Sequence, residues 1–235
     1  MRYSIDPQVF AKYPGFMRAV IVAENIDNSK ENAELAAELA ACEAFARENL
    51  DDSFKEHPKL AVWAEAFRSM DLNPNRYPPS VVNLIKRARS GKPLPFVNPL
   101  VAAFNCISLK NLCPCGGDDL DVVEGDLALT LATGDESYVP LGQPDVTETP
   151  PAGEVIYMDT ASKDVFCRAW CWKNGDRSKL LPTTSRAAVN IDIMPPMGVA
   201  DAERIANELA AMLQKYTGAT TAIHYLTPDN TEFQI

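Results

Sequence analysis

Asn98-Pro-Leu-Val-Ala-Ala-Phe-Asn105-Cys-Ile-Ser-Leu-Lys-Asn-Leu-Cys113-Pro-Cys115-Gly-Gly-Asp-Asp-Leu-Asp-Val-Val-Glu-Gly125-Asp-Leu-Ala-Leu-Thr-Leu-Ala132 is where the chain changes character. Its first eight residues read as a short helix, Asn98 to about Asn105, with Asn98 as N-cap and Pro99 in the first turn. Its last six, Leu127–Ala132, read as a strand. Before this stretch lie a buried strand at Phe16–Ala23 and three helices. The first spans Ser29 to about Asn49, with Ser29 as N-cap. The second starts at Pro58 and ends near Met70, with Leu60, Trp63, Ala64 and Phe67 on one stripe. The third runs from Pro78 to Ser90.

After it the chain becomes β-rich. Candidate strands are Tyr138–Leu141, Glu154–Asp159, Val165–Trp172 and Ala187–Ile193, separated by Gly- and Pro-containing turns. A helix at Asp201–Lys215 and a strand at Thr220–Leu226 close the chain. Leading helices followed by strands predict an α+β domain with a mostly antiparallel central sheet flanked by helices. We read residues 1–235 as one domain. Residues 1–59 form an N-terminal strand and helix, 60–195 the central region, and 196–235 a closing helix and strand.

The 235 residues carry a net charge of −10, distributed unevenly. Residues 72–117 hold six bases and no acid, and residues 118–164 hold 12 acids and one base. Residues 165–191 hold five bases and one acid. The total argues against a protein that coats DNA, which needs a basic surface to displace counterions. If folding joins the two basic islands, they form a patch for a few phosphates; otherwise they solvate helix and loop surfaces. No run approaches the roughly 20 apolar residues of a membrane span. Met1–Glu24 lacks a secretion-signal pattern, so the six cysteines read as reduced thiols of a cytoplasmic protein.

Familiar catalytic patterns are missing. His57 and His224 stand outside the candidate pocket segments, and no G-x-S-x-G elbow accompanies them. Cys113/Cys115 and Cys167/Cys171 have poor zinc spacing and read as buried thiols, so no metal is expected. Gly116-Gly117 forms no dinucleotide fingerprint. In Val165–Trp172, strand alternation puts Val165, Cys167, Ala169 and Cys171 on one face. Phe166, Arg168, Trp170 and Trp172 fall on the other, either as a pocket floor for a flat or amphipathic ligand or as plain core.

Several motifs together resemble the tRNA-editing (B-three/B-four) domain of the bacterial phenylalanyl-tRNA synthetase β subunit. Pro114, Asp119, Leu120, Asp121, Glu124 and Gly125 fall in register with that domain's G-Q-P-M-H-A-F-D-L-D-x-I-E-G motif. Asn105 matches the last Asn of its N-x-V-D-x-x-N helix. Arg168-Ala-Trp170-Cys-Trp172-Lys-Asn-Gly looks like the R-x-W-x-W-R-N pattern of free-standing members, as do Pro79-Ser80 and Leu94-Pro-Phe-Val-Asn98. The likeness covers about residues 60–195. Gly116 stands where the family has His and Ala102 where it has Asp, and the family's Glu falls near Cys167.

The resemblance implies a stand-alone domain that binds the aminoacylated acceptor end of tRNA and hydrolyses mischarged aminoacyl-tRNA in trans. It implies no ligase activity, no cofactor, and neither DNA nor membrane as partner. An aminoacyl ester is already activated, so a held water and oxyanion donors suffice for its hydrolysis. Asn98, Asn105 and Asp119 are then the pocket polar groups. Arg168, Trp170, Trp172 and Asn174 contact the amino-acid moiety, and Thr183 and Thr184 close the rim. Lys86, Arg87, Arg89, Lys173 and Arg177 contact phosphates. The alternatives are a non-catalytic module for RNA or an amino-acid-like ligand, and a hydrolase of small esters or amides.

Overall fold

A computed structural model describes residues 1–29 and 31–235. In chain order the elements are β1 (Arg2–Ile5), α1 (Pro7–Lys12), β2 (Met17–Glu24), α2 (Ala33–Asn49), α3 (Pro58–Arg68), α4 (Ser80–Arg89), α5 (Pro99–Asn111) and β3 (Cys115–Asp119). Then follow β4 (Leu127–Leu131), β5 (Val155–Asp159), β6 (Val165–Arg168), β7 (Lys173–Asn174), β8 (Arg186–Ile193), α6 (Val199–Thr217), β9 (Thr220–Leu226) and β10 (Glu232–Gln234). The α+β class and the mostly antiparallel pairing are those expected. The strands divide between two sheets, ordered β10-β1-β4-β5-β6-β7 and β3-β8-β2-β9; among the strand pairs of the described residues β1 and β4 alone run parallel.

The four-stranded sheet separates two cores. On one side Ala19, Ile21, Val189 and Ile191 pack under α2, α4, α5 and α6. On the other, Val20, Val22 and Ala188 meet Tyr3, Leu129, Tyr157 and Phe166 of the six-stranded sheet, together with Trp63 and Phe67 of α3. Of the stripe read on α3, Trp63 and Phe67 face the core between the sheets, whereas Leu60 joins the helix-side core and Ala64 is only half-buried.

Several local expectations change. The N-cap of α2 is Asn32, whose Oδ1 accepts the Leu35 N–H at 3.0 Å; Ser29 instead donates to Asp27 Oδ1 at 2.8 Å. The helix begun by Asn98 runs on to Asn111. It is buried on nearly every side, so it has no polar stripe to mark its length. Tyr138–Leu141 makes only isolated bridges, at Tyr138 and Pro140. The strand read over Val165–Trp172 ends at Arg168. Ala169 and Trp170 take left-handed φ of 46° and 61°, which turns the chain and cancels the predicted alternation beyond that point.

Candidate functional site

Strand register gathers a set of polar side chains between the two sheets. Antiparallel pairing sets Arg18 opposite Asp192, Gly116 opposite Asn190, and Asp118 opposite Ala188. These side chains alternate with the helix-facing apolar set, so they point toward the six-stranded sheet. That sheet presents Tyr157, Cys167 and Asn174 in a single register row. A cavity of about 280 Å³ lies between the two rows. Ser80, Asn83 and Leu84 of α4 and Phe104 and Asn105 of α5 complete its wall.

Arg18 and Asp192, both almost fully buried, form a two-point ion pair at 2.6 and 2.9 Å. The third arm of Arg18 donates to Tyr3 Oη at 2.9 Å, and Tyr3 donates to Asn190 Oδ1 at 2.7 Å. The guanidinium also lies 5.3 Å from the Tyr157 ring centre. Nothing in this network needs a ligand to balance its charge.

Asp118 differs. It is 4% exposed, and its Oδ1 accepts the Ser178 hydroxyl at 2.5 Å. Burial pushes its carboxyl up to about 7, although the Ser178 bond and the Arg18 charge pull the other way. Asn105 is 8% exposed, and its side-chain amide has no hydrogen-bond partner among the described residues. Burial pushes the thiols of Cys115, Cys167 and Cys171 up, so the three wall cysteines remain protonated and poor nucleophiles. His57 caps α3 and His224 stacks on Phe233, both away from the wall. Among the described residues no group of three or more His, Cys, Asp or Glu side chains converges as a metal site requires.

The residues singled out in the sequence distribute as follows. Asn105, Trp172, Lys173 and Asn174 line the cavity. Asn98 caps α5, accepting from Val101 N and donating to Leu180 O. Asp119 is taken up by Asp121 N and by Thr184 Oγ1, the latter at 2.6 Å. Thr184 is therefore buried beside Asp119, and Thr183 is exposed away from the wall. Arg168 turns to Glu154 and Glu148, at 3.1 and 2.6 Å. Trp170 reaches the wall but is only 1% exposed, with edge contacts to Tyr13, Phe16 and Trp63. The left-handed turn at Ala169 and Trp170 takes Trp170 into the core, while the Arg168 guanidinium stays 5.8 Å from the Trp172 ring centre, so the grouping read from alternation survives only for that pair.

The segments that carry the two basic islands meet at this cavity, where Lys173 is the one base of either island among the described lining residues. Ser80 N donates to Cys171 O at 2.8 Å, and β7 contributes Lys173 and Asn174 opposite α4. Arg87 follows Ser80, Asn83 and Leu84 by seven, four and three residues, which places it one turn along the same helix face. Lys86 lies off this face, with burial and the neighbouring Lys55 lowering its pKa. Arg89 pairs with Asp52 at 2.7 Å, and exposed Arg177 sits 3.9 Å from Asp164. Sequence reasoning missed Arg18, Asp118, Asn190 and Asp192. A charged residue inside the apolar runs of β2 and β8 is the signal that marks two of them.

The B3/4 domain family model matches residues 62–218. No curated protein matches the chain. Among solved structures it is similar to an N-terminal fragment of the phenylalanyl-tRNA synthetase β-subunit from Pyrococcus horikoshii, with 10% identity and a TM-score of 0.46. That similarity covers 93% of this chain, which spans about half (49%) of the fragment. No helix among the described residues is long and apolar enough to cross a membrane.

Proposed function

The chain belongs to the B3/4 domain family, and we propose that its inter-sheet cavity receives the aminoacyl group at the acceptor end of a tRNA and hydrolyses mischarged esters in trans. One observation carries this reading: apart from Arg18, every cavity-wall residue falls within the matched span, 62–218. The volume, about 280 Å³, sits near the lower end of small-molecule sites and suits a group of amino-acid size. Lys173 lines the cavity, and Arg87, whose Nε donates to Pro93 O at 2.9 Å, follows one turn along α4; these two are the contacts assigned to the phosphates.

The chemistry asks little of the protein. Water adds to the ester carbonyl carbon, the bond to the ribose oxygen breaks, and that oxygen takes the proton. Free amino acid and tRNA result. The side-chain amides of Asn105 and Asn174 have no competing partner among the described residues and are available to the developing oxyanion. The protonated wall cysteines and the distant histidines supply no nucleophile, which agrees with direct attack by water.

Gly116 and Cys167, where the resemblance places His and Glu in the synthetase, favour a second reading in which the cavity binds without catalysis. A panel of mischarged tRNAs separates the two. Trans-editing predicts that at least one is deacylated faster than in buffer and that Asn105→Ala removes the gain. Binding without acceleration leaves the non-catalytic module, and neither binding nor cleavage overturns both.

A further inference from the structure

Among the fully buried groups of the cavity wall the positive and negative charges do not match. Lys173 is half-buried on β7, which leaves Arg18 as the only fully buried cation there among the described residues, and its three arms are committed to Asp192 and Tyr3. Asp118 contributes a second buried carboxyl, and only one of its oxygens is bonded. Its other neighbours add no cation: Ser178 from the segment after β7, Asp119 on its own strand, Ala188 opposite on β8, Tyr157 on β5 and Cys167 on β6. Asn105, nine-tenths buried and with no partner for its side-chain amide among the described residues, lines the same cavity. A ligand that supplies a positive hydrogen-bond donor completes both features.

We propose that Asp118 is the receptor for a primary ammonium of the bound aminoacyl group, so that the cavity takes acceptor ends carrying a free amine. This rests on the reading of the cavity given above. A charge-assisted bond in a site sheltered from water is strong and directional, and a ligand without the amine leaves the carboxyl to be protonated instead. Because burial holds the Asp118 carboxyl near 7, binding an ammonium also drives its proton off. The α-amine and a side-chain amine share this chemistry.

The test uses amide-linked 3′-aminoacyl adenosines, which resist hydrolysis, of phenylalanine, tyrosine, alanine, serine and lysine. Each is paired with its desamino counterpart, and the lysine pair lacks only the α-amine. Calorimetry at about pH 6.5, in buffers of different ionisation enthalpy, measures affinity and proton exchange together. The free-amine probe is expected to bind about tenfold tighter than its pair. It should also release a measurable fraction of a proton, because Asp118 is partly protonated at that pH. Asp118→Asn should bring each pair within about twofold and end the proton release. Tight binding retained by desamino-lysine identifies the side-chain amine as the group read. Equal affinity within every pair of the wild-type protein, without proton release, overturns the assignment of Asp118 and leaves the cavity's role standing. This wild-type arm decides the matter even if the variant does not fold. Binding by no probe overturns the cavity reading and the assignment together.

Discussion

On β2 and β8, Ala19, Ile21, Val189 and Ile191 pack fully buried beneath helices, while Arg18, Asn190 and Asp192 on the other face of the same strands meet a second sheet across a cavity. Both faces are interior. The first is held by apolar burial, which is non-directional and contributes roughly 25 cal/mol per Å² removed from water. The second carries charges whose desolvation is large, so only full pairing makes it tolerable. Apolar residues of similar volume would serve stability there about as well. The difference teaches where to look for function. The helix-facing side explains why the sheet exists, and the cavity-facing side holds groups that stability alone does not require.

The largest expected break in this comparison is Asp192→Ala. It leaves the Arg18 guanidinium buried and unpaired, and should destabilise the fold by about 3–5 kcal/mol. Arg18→Met combined with Asp192→Leu should recover most of that loss, measured by denaturant unfolding. A double variant as unstable as the single one would mean that the pair itself specifies the fold.

Asp118 gives the next effect, and it depends on pH. Its folded carboxyl titrates near 7 against an ordinary value of 3.8, so the fold favours the neutral form. The wild-type protein therefore has the full benefit of that carboxyl below about pH 4 and loses it as pH rises toward 7. Asp118→Asn removes the dependence. The difference in stability between the variant and the wild type should move in the variant's favour by up to about 4 kcal/mol between pH 4 and 7, then level off. A constant difference across that range would show that Asp118 is ionised in the fold.

Legibility in the sequence follows the same division. The stripe of α3 and the bounds of β9 were readable because local periodicity decides them. β1 and β10 escaped because they are four and three residues long and gain their identity only by pairing with each other and with β4. β3, Cys-Gly-Gly-Asp-Asp, has no intrinsic strand preference and exists through its ladder with β8. The turn at Ala169 and Trp170 uses left-handed backbone without the Gly or Asn that normally announces it. In the site, Asn105 and Asn174 were within reach of motif resemblance. Arg18 and Asp192 are 174 residues apart, and only sheet register makes them neighbours. Asp118 was overshadowed by Asp119, whose oxygens the fold spends on Asp121 N and Thr184.

Smaller changes sharpen the contrast. Ile21→Val trims one methylene from the helix-facing core and should cost about 0.5–1.5 kcal/mol. Its affinity for the aminoacyl probes should equal that of the wild type. An altered affinity would mean that the two faces are coupled through the sheet.

The smallest stability effect is expected from reversing charge outside both faces, and there the discriminating readout is RNA rather than unfolding. Arg87 and Arg47 are exposed cations in the last turns of α4 and α2. Replacing either with Glu opposes the helix dipole by a similar amount, about 0.3–1 kcal/mol, and changes net charge equally. Arg87→Glu also gives up the Arg87 Nε bond to Pro93 O, so what the two variants share is the change in long-range field. Their positions differ: Arg87 continues the helix face that carries Ser80, Asn83 and Leu84 to the cavity, whereas no residue of α2 is among those lining it. If the acceptor end enters over α4, Arg87→Glu should weaken tRNA binding and lower the salt dependence by about 0.7 in slope for each phosphate that is no longer neutralised. Arg47→Glu should leave both nearly unchanged. Equal weakening in the two variants would mean that tRNA senses only the overall charge, and the cavity mouth would lose its claim to be the point of entry.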